Sequence, residues 1–308
     1  MAGEDDAARK YWPDAVPFMV SPEFPPPAAT VQVKFGARSR RGRSRAINED
    51  HYVVFRLGRY EDTILSSLPD EVTGKRFDEY GYAMVVADGL GRETRGEAAS
   101  RLAIATLLDV VRRFAKWNLR IDHHIANEII QRVQFFYRLV DQTLVHTSQR
   151  ETGGMLQTTM TAAFGAGRDL FFAHVGHSRA YLVRGGHLVR LTRDHTIGRL
   201  GRTKVPTGPI EKVETAARDM THVLTNTMGM GESFSPTVEI ERFELADRDV
   251  VLVCTNGLTD AVDEEVIADV LSSDRQPDDA CRSLVELAMS SGAEDDTTAL
   301  VAQYRIPE

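Results

Sequence analysis

Cysteine is nearly absent: Cys254 and Cys281 are the two in 308 residues. They lack metal-ligand spacing and are too few for a disulfide framework, so both are expected as reduced thiols in a reducing compartment. Long apolar runs are missing too. No stretch approaches the ~20 residues of a membrane span. The opening Met1-Ala2-Gly3-Glu4-Asp5-Asp6 has no apolar core of a secretory signal. The expected location is cytoplasmic, with no membrane partner. Positive charge is in deficit, 37 Lys and Arg against 45 Asp and Glu for a net charge of −8. That argues against a general nucleic-acid binder. The one basic run, Arg38-Ser39-Arg40-Arg41-Gly42-Arg43-Ser44-Arg45, is short and reads as a solvated face, Arg45 excepted. There is no glycine-rich nucleotide-cradling loop, and no His or Cys is set up as a nucleophile.

What is present is a folding composition, 42% hydrophobic and 27% charged. Residues 1–28, with Pro25-Pro26-Pro27 and scattered charge, are expected to form a flexible arm. Residues 29–308 are expected to form a single domain. Val31, Val33 and Phe35 alternate with polar residues as a strand does. Apolar runs at 51–55 and 82–87 predict two more strands, the second apolar on both faces and so central. The stretch 58–80 between them reads as an irregular connection. Residues 94–117 and 122–149 predict two helices, the first with a stripe of Ala98, Leu102, Ala105, Leu108 and Val111. A short connection at 118–122 makes them antiparallel neighbours. Strands follow at 158–165, 169–175 and 179–184, the last turning at Gly185-Gly186. A glycine- and proline-punctuated flap spans about 196–236. Strands return at 237–243 and 249–254, helices at 263–272 and 277–291, and a strand at 298–304. This order predicts a layered α+β protein with two sheets covered by helices.

Four acidic segments carry the chemistry: Arg45-Ala46-Ile47-Asn48-Glu49-Asp50, Ala87-Asp88-Gly89-Leu90-Gly91, Cys254-Thr255-Asn256-Gly257-Leu258-Thr259-Asp260 and Glu294-Asp295-Asp296-Thr297-Thr298. Carboxylates at the ends of apolar strands are costly to desolvate unless a cation meets them, and hard divalent ions do so with oxygen ligands. Asp88-Gly89 offers a carboxylate beside a backbone carbonyl. Glu49 and Asp50 precede one strand, and Asn256 and Asp295 stand beside two others. Together they supply the oxygens of a two-metal site, in which ions about 3.5–4 Å apart activate a water for in-line attack on phosphorus. Arg45 would offer a planar fork to two phosphate oxygens.

In this order, the segments resemble the bacterial type 2C metal-dependent protein phosphatases. Thr158-Thr159, the strand 173–182 and the segment Leu191-Thr192-Arg193-Asp194-His195-Thr196 extend the resemblance over roughly residues 33–305. It implies a four-layer α-β-β-α sandwich of two mainly antiparallel sheets flanked by helix pairs. It also implies hydrolysis of phosphoserine and phosphothreonine in proteins, with two Mn2+ or Mg2+ ions. By motif position Asp88 would bridge both ions. Glu49 and the Gly89 carbonyl would serve one, with Asp50 close by, and Asn256 and Asp295 the other. Arg45 would hold the phosphate. The partners implied are phosphorylated proteins, a serine/threonine kinase and its targets among them; the chain itself is expected to be a monomer.

Two aspartates of the family pattern are replaced, by Asn256 and His177. An amide oxygen still coordinates a hard ion but brings no charge. His177 is either a ligand to a third metal or a neutral hydrogen-bonding residue. Leu90 sits where some relatives carry a histidine proposed as general acid. Two other readings therefore stand beside the phosphatase: a catalytically reduced phosphoprotein-binding or regulatory module, and a metal-dependent hydrolase of another phosphate ester such as a nucleotide.

Overall fold

The computed structural model describes residues 31–69, 76–91, 95–116, 123–150, 154–197, 223–231 and 233–306. The expected arm at 1–28, the connection at 118–122, and most of the 196–236 flap lie outside them. Two mainly antiparallel sheets form the centre. One has the order β1 (Gln32–Arg40), β11 (Thr297–Arg305), β10 (Val250–Cys254), β7 (Arg179–Arg184), β8 (His187–Arg190). The other runs β2 (Asp50–Asp62), β3 (Arg76–Leu90), β5 (Met160–Ala166), β6 (Asp169–Val175), β9 (Glu239–Glu244), with the two-residue β4 (Gln157–Thr158) added to β3.

Alternation along the strands builds the layers. Met84 and Val86 of β3 meet Val251 and Val253 of β10 and Leu300 and Ala302 of β11 in the core between the sheets. Val85 and Ala87 face the other way, onto α1 (Arg95–Phe114) and α2 (His123–Arg150). Leu252 and Cys254 face α4 (Glu264–Ser272) and α5 (Pro277–Ser290). The result is the expected α-β-β-α sandwich. Phe172, 1% exposed between the sheets, is a test of that core: truncation to Ala would cost about 3–5 kcal/mol. Both cysteines are free and buried, and burial pushes each thiol up to about 12, so neither is reactive at neutral pH.

Two local expectations need correcting. The stretch 58–80 is not an irregular connection. β2 and β3 pair through Asp62↔Arg76 and leave only residues 63–75 to join them. Ladder bonds need no apolar period, and Gly58 pairs with Tyr80 while the Arg56 guanidinium lies 4.2 Å over the Tyr80 ring. The buried face of α1 is also turned by one residue. Ala99, Ala103, Leu107 and Val110 are buried, Ala98, Leu102, Leu108 and Val111 of the predicted stripe form the margin of that face, and Ala105 is exposed. The α1 apolar surface is broad, and sequence periodicity does not locate its centre. The hairpin at Gly185-Gly186 is present, with φ of +57° and +81° at its two glycines, the left-handed values a two-residue turn demands.

Candidate metal centre

The start of β2 and the end of β3 meet at one edge of the sandwich, where Asp50 is paired with Asp88. The end of β10 and the start of β11 reach the same edge from the other sheet. Thr255 and Thr298 donate their hydroxyls to Asp50 Oδ2 at 2.8 and 2.7 Å. Asp296 ties the next strand in, accepting from the Glu49 N–H at 2.7 Å and the Gly42 N–H at 2.9 Å. Ser100 of α1 donates to the Glu49 carbonyl at 2.6 Å. Thr158 Oγ1 and the Thr159 N–H donate to the Asp88 carbonyl at 2.8 and 2.9 Å. Gly89 and Gly96 let α1 approach this closely. A Cβ on Gly89 would lie 1.9 Å from the Gly96 carbonyl oxygen, and one on Gly96 would lie 2.6 Å from Glu49 Oε1.

Among the described residues, four buried side-chain oxygens receive no hydrogen bond: Glu49 Oε1, Asp50 Oδ1, Asp88 Oδ2 and Asn256 Oδ1. All four belong to residues singled out in the sequence as ligands. Their charge environment agrees. Burial raises the Asp88 carboxyl well above its ordinary range, and Asp50 and Asp295 raise it further. Burial also raises Asp50 against the pull of Thr298 and Thr255, and it raises Glu49 and Asp296. Unsatisfied oxygens crowded by like charge and shut from water are what a hard divalent cation relieves, so the donor set fits such an ion.

Arg45 and Asp295 complete the group in an unexpected way. Arg45 Nη1 contacts Glu49 Oε2 at 2.7 Å, and its Nε and Nη2 both reach Asp295 Oδ1 at 2.7 Å. The expected phosphate fork and two of the expected ligands are thus paired with one another. Asn256 opens the one-turn helix α3 (Asn256–Thr259), which the sequence reading missed. His177 is buried with Nδ1 3.8 Å from Asp88 Oδ2, so it belongs to this centre. Thr255, Thr298 and Asp296 were not given roles from sequence. The signal was present, because the first precedes Asn256 and the other two follow Asp295.

His174, His195 and Glu239 form a second cluster, with donor atoms within 4.8 Å of one another. His174 Nδ1 lies 2.7 Å from Thr161 Oγ1, and its Nε2 lies 3.1 Å from the Arg193 carbonyl. His195 Nδ1 accepts from the Gly176 N–H at 3.1 Å. The Nδ1 atoms of both histidines are thus engaged in hydrogen bonds, and Glu239 Oε2 accepts from the Arg193 N–H at 3.0 Å.

A family model for protein phosphatase 2C matches residues 67–288. Over 276 residues the chain is 29% identical to the serine/threonine protein phosphatase PstP of Mycobacterium tuberculosis, covering 89% of this chain and 45% of that protein. It therefore spans about half the length of that relative. Over 271 residues it is 28% identical to the serine/threonine phosphatase stp of Listeria welshimeri, covering 87% of this chain and 95% of that one. The solved catalytic domain of PstP in complex with two manganese ions superposes with a TM-score of 0.64 at 25% identity, covering 90% of this chain and all of that chain. With most of its length matched by the family model, this chain belongs to the protein phosphatase 2C family.

Proposed function

We propose that this chain is a metal-dependent protein serine/threonine phosphatase acting at the centre built around Asp88. The observation that supports it is the set of four buried, unbonded oxygens on Glu49, Asp50, Asp88 and Asn256, in a chain of this family. Glu49, Asp50, Asp88, the Gly89 carbonyl, Asn256 and Asp295 are the residues that would hold divalent ions. Two ions are expected, Mn2+ or Mg2+, as in the manganese-bound PstP domain. When bound, such ions lower the pKa of a water and orient it toward phosphorus.

The chain's own residues do the rest. Arg45 is the cation at the mouth, its side chain 30% exposed, and binds the phosphate by exchanging a carboxylate for phosphoryl oxygens. Asp296, Thr255 and Thr298 fix the ligand strands relative to one another. Leu90 carries no proton, so the leaving alkoxide takes one from solvent. The substrates are phosphorylated proteins, including targets of a serine/threonine kinase, and the enzyme works as a cytoplasmic monomer in signalling. Among the described residues no helix is long and apolar enough to cross a membrane.

The test is hydrolysis of a phosphothreonine peptide by the full chain. Phosphate release in millimolar Mn2+, abolished by EDTA and exceeding release from ATP, supports the proposal. A folded sample with no release from the peptide contradicts it, and preference for ATP would point to a nucleotide phosphohydrolase.

A further inference from the structure

Asn256 stands where the family pattern has a carboxylate, and the structure shows what accompanies the change. Asn256 Nδ2 donates to Asp260 Oδ2 at 3.1 Å, and the Asp260 N–H donates to the Asn256 carbonyl at 2.8 Å. The two residues, four apart, are tied by side chain and backbone at once. The helix that carries them is firmly seated. Leu258 is fully buried, and a Cβ on Gly257 would lie 2.1 Å from the Asp296 carbonyl oxygen. A carboxylate oxygen accepts and the amide NH2 donates, so it is the NH2 of Asn256, not its oxygen, that Asp260 holds. Its NH2 turns outward to Asp260, which is exposed. Its Oδ1 is left buried without a hydrogen bond.

The acidic centre alone favours the reverse. Glu49, Asp50 and Asp88 would draw the NH2 inward and offer a cation two hydrogens instead of a lone pair. We propose that Asp260 is a positioning residue that holds the Asn256 oxygen toward a divalent cation. The carboxylate missing at position 256 is in effect kept one residue layer further out. This rests on the metal-centre reading above, and its test separates the two.

The experiment is Mn2+ titration calorimetry on the full chain, with circular dichroism to verify folding. It compares wild type, Asp260→Ala, Asp260→Asn, Asn256→Asp and the Asn256→Asp/Asp260→Ala double variant. Wild type is expected to take up two ions. Asp260→Ala weakens one of them by about tenfold, the usual scale for loss of a group that orients a ligand. Asp260→Asn keeps an acceptor for Nδ2 and retains most of the affinity. In the Asn256→Asp background, where the ligand has two equivalent oxygens, Asp260→Ala changes affinity by less than about twofold. Unchanged affinity in Asp260→Ala overturns the proposal. So does an equal loss in both backgrounds, which would assign the effect to net charge or to the helix end. Failure of wild type to bind Mn2+ overturns the metal centre itself, and this inference with it.

Discussion

Asp50 and Asp88 are direct partners across the β2–β3 ladder, each with one carboxylate oxygen buried and without a hydrogen bond. Two carboxylates in that relation repel one another and are poorly solvated. The strand pair holds them together at a cost to its own stability, as functional sites do.

Replacing Asp88 by Asn should therefore stabilise the metal-free protein while abolishing Mn2+ uptake. Its folded pKa lies above the unfolded value, so wild type loses stability as pH rises through the folded value. The gain from Asp88→Asn is expected to be about 1–3 kcal/mol at pH 8 and smaller at pH 5. Urea unfolding in EDTA at the two pH values measures it, and a destabilised variant at pH 8 would contradict this account.

Thr298→Val removes one of the two hydroxyl donors to Asp50 Oδ2. The Asp50 carboxyl, already raised mainly by burial, should rise further. The variant should lose about 1–2 kcal/mol at pH 8 and less at pH 5, where protonation relieves the carboxylate. Equal losses at both pH values would show that the hydroxyl acts only through packing.

Asn256→Asp restores a negative charge to the donor set. Mn2+ should then saturate hydrolysis at a concentration lower by about tenfold, equivalent to 1.4 kcal/mol. A titration of activity against free Mn2+ reads this directly. An unchanged midpoint would show that position 256 does not touch the ion.

His174 should make the protein acid-sensitive for a reason unrelated to catalysis. Burial, then the neighbouring His195, lowers its pKa from 6.5 to about 3. Between those values the unfolded chain binds a proton that the folded chain refuses. Stability present above pH 6.5 is therefore lost as pH falls, by up to about 1.4 kcal/mol per unit. His174→Gln should lose less stability than wild type between pH 7 and pH 5 in urea unfolding. Parallel losses would place the acid sensitivity elsewhere.

Much of this architecture could be read from the chain because its strands carry alternating or continuous apolar runs. Val85 and Val86 face opposite layers, and the residues at 82–87 announce that by being apolar on both sides. Partnership is harder to read. The β2–β3 extension through Asp62↔Arg76 is held by ladder bonds between mostly polar residues, which leave no periodic trace. The rotation of α1 toward Ala99 and Ala103 depends on where β3 lies, not on the helix alone. At the centre, carboxylates beside strand ends marked Glu49, Asp50, Asp88 and Asp295. The pairing of Arg45 with Glu49 and Asp295, and of Asn256 with Asp260, was not visible. Those contacts join side chains whose orientation only the fold determines.

The most direct measurement is anomalous diffraction from crystals soaked in Mn2+. Two manganese peaks are expected beside Asp88, one ligated by Glu49 and the other by the Asn256 oxygen. A map with no peak at Asp88, from crystals of folded and soaked protein, would contradict it.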